Sequence, residues 1–164
     1  MAEGWWSVRI RRTWSYFHAR VSAGERIELS GWLPPAQLAL FAAMHVADRR
    51  HGLDVVADLR AAGAVDLDLL LAGLLHDCGK GRHVRLAHRM AWSVGQRYGA
   101  WMWRATGHLP TFRTGLAGLH DHARRSAELA AGAGCTARTV ELIRNQEAPT
   151  EDAGRLLLAA DEAN

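Results

Sequence analysis

Residues 70–80 read Leu-Leu-Ala-Gly-Leu-Leu-His-Asp-Cys-Gly-Lys, an apolar helical run that ends in the adjacent pair His76-Asp77. Gly79 and Gly81 follow and break the helix. An imidazole beside a carboxylate offers two metal ligands of different hardness at one helix end. Lys80, three residues past Asp77, sets a cation where an anionic substrate could sit. A His-Asp dipeptide by itself decides nothing, so its surroundings must.

Working outward, Asp66 is placed to cap a helix over Leu67 to Cys78. Before it, Asp48 is placed to cap a helix from about Arg49 to Ala62, with Leu53, Val56, Ala57 and Leu59-Arg60 as its periodic positions and Gly63 as its stop. From His51 to the turn, and from the turn to Asp77, each leg is about 16 Å long at the rise of an α-helix. Two such legs joined by a short turn run antiparallel. His51 therefore returns close to His76 and Asp77, and three candidate ligands converge.

The rest of the chain also reads as helix. Residues 4–21, rich in Trp and Arg, suggest one helix. Trp32-Leu33-Pro34-Pro35 marks a turn, and Pro35 suits the first turn of a helix from Ala36 to about Val46. Its apolar face is Leu38, Phe41, Ala42 and His45, which makes His45 a core histidine. Leu86 to Arg104 reads as helical and carries Trp92, Trp101 and Trp103 among its arginines. His122 opens a further helix, Thr136 caps the next, and Thr150 begins the last, with Leu156, Leu157 and Ala160 on its apolar face. The expected fold class is all-α, with residues 1–47 an N-terminal helical extension packed on a domain spanning 48–164.

A chain of 164 residues suits one domain with a substantial core. No apolar run approaches the roughly 18 residues of a membrane span, and the N-terminal stretch lacks a signal-peptide core. Cys78 and Cys135 form no spacing motif, Cys78 reading as a small buried hydrophobe, so the cytoplasm is the expected compartment. The net charge of +3 is unevenly spread. Cys78 to His120 contains no Asp or Glu but holds Lys80, Arg82, Arg85, Arg89, Arg97, Arg104 and Arg113, whereas the stretch from Glu141 onward is acidic. One basic face points to an anionic partner.

The order His51, His76-Asp77, Asp161 resembles the HD-domain metal-dependent phosphohydrolases. RHGLDVVADLRAAG is similar to that family's first histidine helix, and LLLAGLLHDCGKG to its His-Asp helix, with Cys78 at a position usually Ile. HARRSAELAAGAGCTARTVELIRNQ is similar to the helix pair that follows, and LLLAADEAN to the closing helix that delivers the last Asp. The likeness covers about residues 48–163, and the short single-domain form resembles short bacterial members. It implies a single helical bundle in which His51, His76, Asp77 and Asp161 hold one divalent metal: Mn, Fe, Co, Ni or Mg. The implied activity is hydrolysis of a phosphate ester, with a nucleotide as the expected anionic substrate. Asp77 would orient the attacking water and Lys80 would neutralise phosphate charge. His122, His120 and Arg82 are candidates for a second metal or a substrate phosphate. Members with two or three metals carry additional histidines where this chain has Asn145 and Gln146, and it has no Gly-Tyr-Pro segment beyond; both count against cyclic-dinucleotide hydrolysis.

Two other readings stand beside this one. A catalytically silent metal- or nucleotide-binding regulatory protein would keep the same ligands. A membrane-surface or RNA-binding module would use the Trp/Arg stretches; weak contact with anionic lipid fits them, and no signature for specific nucleic-acid binding is present. The oligomeric state is open.

Overall fold

A computed structural model describes residues 19–81 and 120–164. The helix expected over 86–104, with its three tryptophans, and all but the end of the one expected over 4–21 lie outside the described residues, as does Arg82. Ala19 to Ser22 are non-helical and lead into α1 (Ala23–Trp32), which the sequence reading did not anticipate. Its signal is a capping box: the Ser22 hydroxyl accepts from the Glu25 amide while the Glu25 carboxylate accepts from the Ser22 amide.

Six more helices follow: α2 (Pro35–Ala43), α3 (Val46–Ala61), α4 (Leu67–Leu75), α5 (His122–Gly132), α6 (Ala137–Arg144) and α7 (Asp152–Ala163). Among the described residues the fold is all-α, without strands. No helix there is long and apolar enough to cross a membrane.

Four expected boundaries move, the first at α2, which stops at Ala43 rather than near Val46. Helix α3 starts three residues early, because His45 and not Asp48 is its cap: His45 Nδ1 accepts from the Ala47 amide at 3.2 Å, and Asp48 is buried in the first turn. His45 is thus a half-buried cap rather than a core residue. Helix α4, capped by Asp66 as expected, stops at Leu75 instead of Cys78. Beyond it Asp77 takes φ −100°, ψ 2°, Cys78–Lys80 tighten into a 3₁₀ turn, and Gly81 caps that turn at φ +73°. The last helix begins at Asp152, with Gly154, Leu157 and Ala160 inward, while Leu156 is 45% exposed. On α2 the buried residues are Gln37 and Phe41, and Ala42 faces out.

Helix α4 lies at the centre, buried from Leu69 to Leu75. It pairs with α3 as the expected antiparallel hairpin, and α6 and α7 pack on it as well. Gly52 makes the hairpin close: a Cβ there would stand 2.6 Å from the Leu74 carbonyl oxygen. Helix α6 runs beside α4 in the same direction. Thr139 Oγ1 donates to Asp68 Oδ1 at 2.8 Å at one end, and Gln146 Nε2 donates to the His76 carbonyl at 3.3 Å at the other. Val55, Leu59, Leu74, Leu75, Ile143 and Leu157 form the centre of the core, which Leu29, Leu33, Phe41 and Met44 of the N-terminal segment extend.

Candidate metal centre

Each site residue sits where a helix begins or ends, or one turn inside, so packing of the bundle gathers them. His51 lies in the second turn of α3, beside the Gly52 crossing. His76 caps the C-terminus of α4, and Asp77 and Lys80 belong to the turn that follows. Asp161 comes from the last turn of α7, and His122 opens α5.

One ligand atom each from His51, His76 and Asp161 lie within 4.8 Å of one another, a grouping able to hold a metal ion. His51 Nε2 is 2.7 Å from Asp161 Oδ1, and His76 Nε2 is 3.5 Å from the same oxygen. The two imidazoles meet edge to face with centroids 5.1 Å apart. Asp77 borders this group: Oδ1 is 3.5 Å from His76 Nε2 and 3.8 Å from His122 Nε2, and Oδ2 is 4.0 Å from His51 Nε2. Lys80 Nζ pairs with Asp77 Oδ2. Behind His122, Nδ1 is 3.9 Å from Glu147 Oε1.

Exposure grades across the site. His76 and Asp77 are 1–2% exposed at the bottom, His51 22%, and Asp161 39% at the edge. A small ligand can therefore enter from the Asp161 side while the inner groups stay dry.

The turn holding Asp77 and Lys80 is seated by Gly79. Its amide donates to Ser126 Oγ at 2.8 Å, and a Cβ there would fall 2.5 Å from the Ser126 nitrogen and 2.6 Å from the His122 carbonyl. Only glycine lets the turn lie this close to α5, and that contact brings His122 to Asp77.

Protonation follows from the crowding. Burial disfavours a charged ring at His76, yet Asp77 and then Asp161 outweigh it and raise its pKa to about 9. Burial likewise opposes ionisation of Asp77, but His76, Lys80, His51 and His122 hold its carboxyl well below the usual range. At Asp161 burial is overcome by the hydrogen bond to His51 and by His76, with the same outcome.

The donor set fits a divalent ion on an independent ground. His76 Nδ1 faces the Gly73 carbonyl at 2.8 Å; a carbonyl only accepts, so Nδ1 is a donor in either charge state of the ring, and a metal at Nε2 would take the place of that nitrogen's proton. That leaves Nε2 aimed at the cluster, and His76 Nε2 and Asp77 Oδ1 are two of four buried side-chain polar atoms without a hydrogen-bond partner among the described residues, the others being Trp32 Nε1 and Arg49 Nε. Orphaned buried polar atoms are rare in folded proteins, and a cation between His76 Nε2 and Asp77 Oδ1 would satisfy both. An imidazole tied through its far nitrogen to a carbonyl is also the usual support for a metal-binding histidine.

His120, read as a companion to His122, has a side chain 75% exposed beside Asp121. Two residues apart at a helix start, the two histidines face different ways, and His122 is the inward one. Gln146, noted in the sequence only for not being histidine, proves to be a buried contact of the site, and Glu147 next to it was missed altogether. Nothing in the periodicity marks either, because they follow α6 in an irregular turn.

Compared with protein-family models, with curated proteins and with solved structures, the chain matches none.

Proposed function

We propose that the protein is a divalent-metal-dependent phosphohydrolase of the HD type, acting on a nucleotide or related phosphate ester. The observation that carries this reading is the convergence of His51, His76 and Asp161, from three helices and across 110 residues of chain, on a point bordered by an unsatisfied carboxylate oxygen of Asp77. The sequence likeness to HD proteins names the same four residues.

In this reading His51, His76 and Asp161 would hold the ion, with the Asp77 carboxylate bordering them. When bound, the ion supplies a Lewis acid for a phosphoryl oxygen and lowers the pKa of an attacking water. Asp77, ionised and buried, orients that water by accepting its hydrogen bond. Lys80 keeps two ammonium protons beyond the one given to Asp77, and these can meet a non-bridging phosphate oxygen. His122, on the far side of Asp77, provides a further polar contact for the ester. The burial of His76 and Asp77 strengthens each of these interactions relative to water.

The test combines metal analysis with turnover. Elemental analysis of wild type should find about one transition metal per chain, and His76→Ala and Asp161→Ala should lose it. A metal-supplemented screen of nucleoside monophosphates, other nucleotides and cyclic nucleotides should find a hydrolysed substrate, with activity absent in His76→Ala. Metal content equal in all three proteins sinks the proposal. Stoichiometric metal with no turnover on any phosphate ester replaces it with the regulatory reading.

A further inference from the structure

We infer that Gln146 is a positioning residue for the metal centre, acting through the peptide that joins His76 to Asp77. The inference rests on the metal-binding reading of that centre. Gln146 is 5% exposed, so its amide must find partners inside the protein. Its Nε2 donates to the His76 carbonyl at 3.3 Å, and its own backbone amide returns to Ile143 at 3.4 Å, tying the turn to the buried end of α6.

The His76 carbonyl needs an outside donor because α4 ends there. In a continuing helix it would accept from the amide four residues on, or three in a 3₁₀ turn. Here the Lys80 amide donates to Asp77 at 3.1 Å, and the Gly79 amide donates to Ser126 Oγ at 2.8 Å. Both local donors are committed elsewhere, and the Gln146 side chain serves instead.

What this holds is more than one carbonyl. The peptide plane that Gln146 grips has His76 at one end and Asp77 at the other, so its rotation would displace both side chains together. The His76 ring is fixed at a second point, Nδ1 on the Gly73 carbonyl at 2.8 Å. Two tethers, one on the ring and one on the backbone, define the direction of Nε2 toward Asp161 and Asp77 Oδ1. Because Thr139 and Asp68 fasten the α4–α6 pair at its other end, losing the Gln146 amide should disturb the site more than the helix pairing.

The full-length protein is titrated with Co²⁺, reading affinity and the visible d–d absorption, with metal-free thermal melts alongside. Gln146→Met keeps the bulk and removes the donor. Thr139→Val removes a buried hydroxyl contact of the same helix pair, remote from the metal. Both variants should melt below wild type. Gln146→Met should bind Co²⁺ about 10–100-fold more weakly, with a shifted d–d band, and Thr139→Val should keep the wild-type affinity and spectrum. Wild-type affinity and spectrum in Gln146→Met overturn the inference. So does equal weakening in both variants, which would make the contact merely structural. If circular dichroism shows Gln146→Met unfolded, Gln146→Asn, which draws the amide back by one methylene, is held to the same expectation. A wild-type protein that binds no Co²⁺ defeats the metal centre itself, an outcome separate from any failure in the variants.

Discussion

Gly52→Ala tests how the hairpin delivers its two histidines. The added methyl would stand 2.6 Å from the Leu74 carbonyl oxygen and 3.2 Å from its carbon, about 0.8 Å short of ordinary contact. The obstacle is helix backbone, which cannot swing aside as a side-chain tip can. Overpacking of this kind costs about 1–3 kcal/mol, and a backbone neighbour puts it in the upper part of that range. Replacing a mid-helix glycine by alanine returns about 1 kcal/mol. The net expectation is a loss of about 1–2 kcal/mol. At a urea dependence of about 2 kcal/mol/M that lowers the unfolding midpoint by about 0.5–1 M, or the melting temperature by about 2–8 °C. Two controls bracket it. Gly31→Ala on α1 meets nothing within 4 Å and should stabilise slightly, and Gly73→Ala meets side-chain tips, Leu59 Cδ1 at 2.9 Å and Val55 Cγ1 at 3.2 Å, and should cost less than Gly52→Ala. The same separation of α3 from α4 moves His51 away from His76, so Co²⁺ affinity should fall at least about tenfold, since sites of this kind tolerate only about 0.5 Å of displacement. A Gly52→Ala midpoint equal to or above wild type would refute the reasoning, because the helices would then slide apart at no cost.

Three further outcomes follow from the charges and the thiols. Ser22 and Arg50 hold the Glu25 carboxyl down to about 2, with the Arg50 hydrogen bond the largest cause; its contribution is fully present above an unfolded value near 4.5 and lost as pH falls toward 2, so the stability gap between wild type and Glu25→Gln should be open at pH 7 and close by about pH 2 in urea titrations. The shift at His76 is upward, from 6.5 to about 9, so in chelator-treated protein its contribution is whole below pH 6.5 and disappears as pH rises through 9; His76→Gln should abolish that slope in pH-dependent melts, and an unchanged slope would assign it to another group. Burial pushes the Cys78 thiol up to about 12, whereas Cys135 is only half-buried; a chromogenic disulfide reagent at neutral pH should therefore count one thiol in the folded protein and two in denaturant, and immediate reaction of both would contradict the burial of Cys78.

Local chemistry was enough for much of this protein. Asp66 and Thr136 cap the helices that their positions indicated, each side chain accepting from a backbone amide two or three residues on. The approach of His51 to His76 was also legible, because two helical legs of equal length joined by a tight turn must bring their far ends together. Elsewhere the decisive forces act between segments remote in the chain. The turn that follows Leu75 is seated by Gly79, whose amide donates to Ser126 on α5, a partner 47 residues away. Spacing along the sequence could not tell which way α7 would roll, and resemblance alone suggested Asp161; its carboxylate reaches His51 through the packing of Leu157 and Ala160 against the core. His122 rather than His120 faces Asp77 because a glycine on the opposing turn admits the backbone of α5 at that point. Periodicity reports which residues prefer to be helical and which face prefers to be dry. Where two such faces meet, and which polar atoms are left there without a partner, is settled by the docking of whole helices.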